Sequence, residues 1–177
     1  MLALLFILLF FSIGQPFGTL NDICNALAAV LALVLACLLF VSHRPQSSPV
    51  SLIALLFAFA GLVLVGVGTY LVLSAKTSWF LAGLYVTAGY ALIGLWLVVL
   101  NGTALQGNPW THGVAVLGLV AGAFMLLGLA VFPGIFSGVD SMASASWLVN
   151  YVGLTGWLGA FLLFPTWNIL LGRFLLK

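Results

Sequence analysis

Long apolar segments dominate the chain and constrain its fold more than any other feature. They occupy residues 1–13, 20–42, 51–74, 79–100, 112–136 and 146–171. All but the first exceed the ~20 residues that a helix needs to cross about 30 Å of hydrocarbon. A backbone group without a partner in hydrocarbon costs several kcal/mol, and a helix satisfies its own groups. The sequence therefore predicts an all-α fold, a polytopic transmembrane bundle of six spans in a single domain, with the first span short.

The scarcity of charge supports a membrane location. Charged residues make up 3% of the chain, whereas soluble domains carry about 25%. The four cations and two acids are scattered, so no nucleic-acid surface is expected, and the predicted partner is the lipid bilayer. Other membrane subunits, or further copies of the chain, are the remaining candidate partners. The charged residues are Arg44, Lys76, Arg173, Lys177, Asp22 and Asp140.

The positions of these charges also predict an orientation. Six crossings would place both termini on one side, together with Arg44 and two further cations, while the other side would hold Lys76. Because short cytoplasmic loops carry an excess of Lys and Arg, the side of the termini is predicted to be cytoplasmic. We therefore expect a protein of the plasma membrane or a bacterial inner membrane.

Small residues recur along one face of each long segment. Lipid tails give no hydrophobic gain for helix association, so small residues that let backbones approach supply the packing energy. We expect these faces to lie between helices, and larger side chains such as Ile23, Leu27 and Val34 to face lipid. The run GLVAG at 118–122 matches a dimerisation pattern, but with five such faces packing within the chain is favoured. The small faces include Ala32, Ala36, Ala54, Ala58, Gly61, Gly68, Gly83, Gly94, Gly118, Gly122, Ser146 and Gly153.

Asp22 is unusual because it lies between two apolar segments, in the stretch FSIGQPFGTLNDICNA at 11–26. Thr19 followed three residues later by Asp22 resembles a capping box, which would make Asp22 a helix cap at the membrane interface. An alternative follows from the short first segment, whose 13 residues extend about 20 Å and leave the next turn about 10 Å inside the far face. We favour the helix cap, and a carboxylate immersed in the membrane remains the alternative. In either case Asn21, Asp22 and Asn25 share one helix face and are the predicted polar cluster.

Few other residues offer chemistry within the membrane. Thr87 and Tyr90 are the candidate polar groups in the middle of the spans. His43 and His112 lie at predicted helix ends without neighbouring acids, so no metal or cofactor is expected. The two carboxylates lie in separate segments and no catalytic triad spacing occurs, so no enzymatic activity is predicted.

The sequence favours a non-enzymatic protein that acts as a structural or accessory component of a membrane assembly. The alternative is a channel or carrier for a small neutral or lipidic solute, which needs no charges but does need a cavity. A continuous path past Thr87 and Tyr90 would favour the alternative, whereas a filled centre would favour the accessory role.

Overall fold

A computed structural model describes residues 2–42, 49–107 and 109–176 of the chain. These residues form helices and connecting turns without strands, and five of the helices are long and apolar enough to cross a membrane. The first helix has only 12 residues. The predicted all-α transmembrane class is therefore confirmed, with a short first helix. The helices are α1 (Leu2–Ile13), α2 (Phe17–Ser42), α3 (Pro49–Leu73), α4 (Trp79–Gly107), α5 (His112–Phe136) and α6 (Leu148–Leu175).

Helix α4 lies at the centre of the bundle, and its span is the most buried of the five. Helix α3 packs along one side of it and α5 along the other. Helix α1 pairs with α2, which packs on α3, while α6 packs on α5. The first half of α2 and the middle of α6 both reach α4, and this arrangement positions the site described below.

The start of α2 corrects one prediction. Pro16 lacks an N–H group and suits a helix start, and its carbonyl accepts a hydrogen bond from the Leu20 N–H at 3.1 Å. The N–H of Thr19 has no carbonyl partner within the helix and donates to Gln15 Oε1 at 3.4 Å. A glutamine side chain therefore caps the start of α2. The predicted capping box of Thr19 and Asp22 is wrong, because the helix begins earlier and Asp22 lies in its second turn.

The predicted small faces are confirmed where helices approach most closely. A Cβ atom built on Gly61 of α3 would lie 2.5 Å from the carbonyl oxygen of Gly89 on α4, and the reverse is also true. A Cβ on Gly122 of α5 would lie 2.7 Å from the carbonyl oxygen of Gly94. Backbones this close leave room only for glycine. The GLVAG run therefore packs within the chain, and the larger side chains predicted to face lipid are exposed.

Two members of the predicted faces do not pack in this way. A Cβ on Gly83 would meet no atom within 4 Å, because this residue lines a cavity instead of a helix contact. Ser146 is exposed because it precedes α6 in the connection at 137–147. Helix α4 is also longer than predicted and continues to Gly107 instead of ending near residue 100.

The predicted orientation can be tested at two positions that lie at opposite ends of α6. In a variant without the native cysteines, Leu176→Cys is expected to react with a membrane-impermeant maleimide only after the cytoplasmic face is opened. Ser144→Cys is expected to react in intact cells, because both residues are exposed and α6 separates them. The reverse pattern would overturn the orientation. Arg44 and Lys177, on which the prediction partly rests, lie outside the described residues.

Candidate functional site

The polar residues predicted on two separate helices line one cavity. It has a volume of ≈ 30 Å³ and lies between α1, α2, α4 and α6. Its wall contains all five candidate residues, Asn21, Asp22 and Asn25 from α2 and Thr87 and Tyr90 from α4. The structure therefore places the polar cluster of α2 and the polar pair of α4, which were predicted separately, around one cavity.

The cluster on α2 is buried. Asn21, Asp22 and Asn25 are 4%, 8% and 3% exposed, respectively. Asp22 lies about 7.5 Å along the axis from the first residue of α2 at 1.5 Å per residue. Within the described ranges its carboxylate accepts a hydrogen bond from Asn21 Nδ2 at 3.3 Å and forms no ion pair. These observations count against the helix cap and place the Asp22 carboxylate among protein side chains, in the second turn of α2.

Hydrogen bonds between helices hold the cavity wall in place. The hydroxyl of Tyr90 on α4 donates to the backbone carbonyl of Asn25 on α2 at 3.0 Å. The indole N–H of Trp157 on α6 donates to Thr87 Oγ1 at 2.8 Å, and that hydroxyl donates in turn to the Gly83 carbonyl at 2.7 Å. These hydrogen bonds connect α2, α4 and α6 around the cavity. The Tyr90 hydroxyl, the Trp157 indole and the Thr87 hydroxyl are therefore not available to donate to a ligand.

Two hydrogen-bond acceptors in the wall are not used. Asn21 Oδ1 and Asn25 Oδ1 are buried and have no hydrogen-bond partner among the described residues. A buried polar atom left without a partner costs about 1–3 kcal/mol. Because the two residues are four apart on α2, they lie on one helix face beside Asp22. The residues of the wall thus include two amide oxygens without a hydrogen-bond partner and a carboxylate.

Helix α6 contributes side chains that sequence reasoning missed. Its turns widen to the π form at Leu148–Gly153 and Gly159–Leu163, and the second wide turn carries Phe161 to the cavity. Such turns are frequent at functional sites. The ring of Phe161 lies 6.5 Å from that of Tyr90. The only sequence signal for this feature is Pro165, whose missing N–H disturbs the preceding turn.

A larger apolar groove adjoins the polar cavity. It has a volume of ≈ 410 Å³ and lies between α1, α2 and α6, with Ala3, Ala28 and Ala32 among its lining residues. Asn25 and Tyr90 line both the groove and the cavity. The polar cluster is therefore next to a space that could hold an apolar chain.

Other predicted residues do not join this site. No group of three His, Cys, Asp or Glu side chains that could hold a metal ion occurs in the part of the chain that the structure describes. His112 begins α5, and His43 lies outside the described residues. Comparisons of this chain with protein-family models, with curated proteins and with solved structures give no match. The fold and the cavity are thus the basis for a functional proposal.

Proposed function

We propose that this integral membrane protein is a non-enzymatic accessory component of a membrane assembly. The observation that carries the proposal is the dense packing between α4, α5 and α6. Large side chains from three helices are buried there, among them Leu97 and Ile93 of α4, Met125 of α5 and Trp167 of α6. Close helix contacts at glycines fix these helices against one another. A unit packed in this way is suited to holding a shape that partners recognise.

The outer surface supports the same role. Helices α2 and α3 are the least buried of the spanning helices and together present a broad apolar side. Leu31 on α2 and Leu56 on α3 are among the exposed side chains there. Lipid covers such a surface in an isolated protein, and a membrane subunit of an assembly would replace that lipid.

Site-specific photo-crosslinking in native membranes tests this proposal. A photoreactive phenylalanine derivative at Leu31 or at Leu56 is expected to give one protein adduct of defined size. The same group at Val116 on α5, which is also exposed, serves as the matched control. Adducts with lipid alone at Leu31 and Leu56 would contradict an accessory role through this surface.

The groove favours a second candidate, a carrier for a small neutral or lipidic solute. Its apolar walls lead to the polar groups of Asn25 and Tyr90, as a site for an amphipathic solute would require. For a carrier, proteoliposomes should move such a solute faster than protein-free liposomes. Ala28→Trp should slow that movement, since Ala28 lines the groove. Equal rates with and without the protein would leave the accessory role as the better proposal.

A further inference from the structure

The polar cavity combines an isolated acid with unused oxygen ligands. Asp22 is the only carboxylate in the spanning helices, and it forms no ion pair within the described ranges. Lys76 is engaged elsewhere, since its Nζ donates to the Tyr70 hydroxyl at 2.7 Å. Arg173 lies in the last turn of α6, far along the chain from the cavity wall. Buried charges in proteins are paired, neutralised or bound to an ion.

The atoms of the wall that have no hydrogen-bond partner indicate which chemical group could bind in the cavity. Asn21 Oδ1 and Asn25 Oδ1 are less than a tenth exposed and have no partner among the described residues. Both atoms accept hydrogen bonds and cannot donate them. The hydroxyl of Tyr90 already donates to the Asn25 carbonyl, so only its lone pairs are left for a ligand. The carboxylate is negatively charged and the two amide oxygens carry partial negative charge, so together these groups attract a cation and repel an anion.

The size and charge of the cavity limit the class of ligand that it can bind. A volume of ≈ 30 Å³ admits one or two species of about the size of a water molecule. Oxygen ligands suit hard cations, and a single carboxylate balances one positive charge. Ca²⁺ takes about six to eight oxygen ligands and Mg²⁺ usually keeps several bound waters, and a cavity of this size with one carboxylate suits neither ion.

We propose that the cavity is a binding site for a small monovalent cation, held by the Asp22 carboxylate and the side-chain oxygens of Asn21 and Asn25. Bound there, the cation would give both amide oxygens a partner and would neutralise the buried acid. It would also tighten the contact between α2 and α4, because the Asn25 carbonyl and side chain face that junction. This inference is independent of the accessory role.

Thermal unfolding of the full-length protein in detergent tests the site. Sodium, potassium or ammonium chloride replaces choline chloride at constant total salt, since choline is too large for the cavity. At least one of the three small cations is expected to raise Tm in a saturable way, because a ligand that binds only the folded state stabilises it by mass action. Asp22→Asn should abolish the shift, and Asn25→Ala should raise the midpoint concentration at least tenfold.

Asp140→Asn is the matched control, because it removes the only other acidic side chain of the sequence, which lies in an exposed connection. This variant should retain the full shift. A second measurement needs no variant at the site: ²³Na line broadening by wild-type protein should be reversed by the competing small cations but not by choline. If Tm and line width do not distinguish small cations from choline, or if Asp22→Asn keeps the wild-type shift, water alone fills the cavity and the proposal is wrong.

Discussion

Replacing Gly61 by leucine is expected to destabilise the bundle by about 3 kcal/mol, because the new side chain would force α3 away from α4. Its Cβ would lie 2.5 Å from the Gly89 carbonyl oxygen and 3.0 Å from Ile93 Cγ1. Overpacking a core costs about 1–3 kcal/mol and occasionally more. The upper end applies here, since a backbone carbonyl cannot rotate out of the way as a side chain can. Thermal or denaturant unfolding in detergent measures the loss.

Gly66→Leu is the matched control on the same helix. A Cβ there would meet no atom within 4 Å, and the residue is exposed. It should change the free energy of unfolding by less than about 0.5 kcal/mol, as surface substitutions usually do. Equal stability of the Gly61 and Gly66 variants would show that α3 and α4 are not in the close contact described.

The features that the sequence could predict are those set by local composition. The long apolar segments predicted the five spanning helices, and the segment at 112–136 has the same bounds as α5. The lipid-facing side of α2 was also predicted correctly at Leu27 and Val34, because a helix repeats every 3.6 residues and large residues gather on one side. These patterns need no knowledge of neighbouring helices.

That the polar residues of α2 and of α4 line the same cavity could not be predicted in this way. Asn25 and Tyr90 are 65 positions apart, and their contact depends on which helices become neighbours. Small residues on every long segment indicate that helices pack, but not in which order. Pro165 indicates a disturbed turn before it, but not which helices Phe161 meets there. The candidate residues were therefore predictable one helix at a time, and the cavity was not.

Two errors arose where a local signal competed with a stronger constraint. The Thr19 and Asp22 pattern indicated a helix start, but Pro16 starts the helix earlier, and Asp22 then turns inward. The fourth segment was predicted to end near residue 100, because the stretch NGTALQGNPW that follows is rich in Asn and Gly. Asn101 instead continues α4, because its side chain is satisfied inside the bundle.

Asn101 links three helices and should therefore be sensitive to substitution. Its Nδ2 donates to the Leu97 carbonyl at 2.9 Å, and its Oδ1 accepts the indole N–H of Trp167 on α6 at 3.2 Å. Gly118 of α5 lies directly against the same side chain. Asn101→Ala is expected to cost about 2–3 kcal/mol in unfolding free energy, since it opens a cavity and leaves the Trp167 N–H buried without an acceptor.

Thr103→Ala is the control for that experiment, because Thr103 is exposed and its hydroxyl donates within its own helix, to the Leu100 carbonyl at 2.8 Å. The contribution of the hydrogen bond itself follows from a double-mutant cycle of Asn101→Leu and Trp167→Phe. Hydrogen bonds between membrane helices contribute about 0.6 kcal/mol on average and up to about 1.7 kcal/mol. We expect a coupling energy in the upper half of that range, because both side chains are buried and the structure gives neither Asn101 Oδ1 nor Trp167 Nε1 a second partner among the described residues. A coupling energy near zero would mean that Asn101 stabilises the bundle through its volume beside Gly118 and not through Trp167.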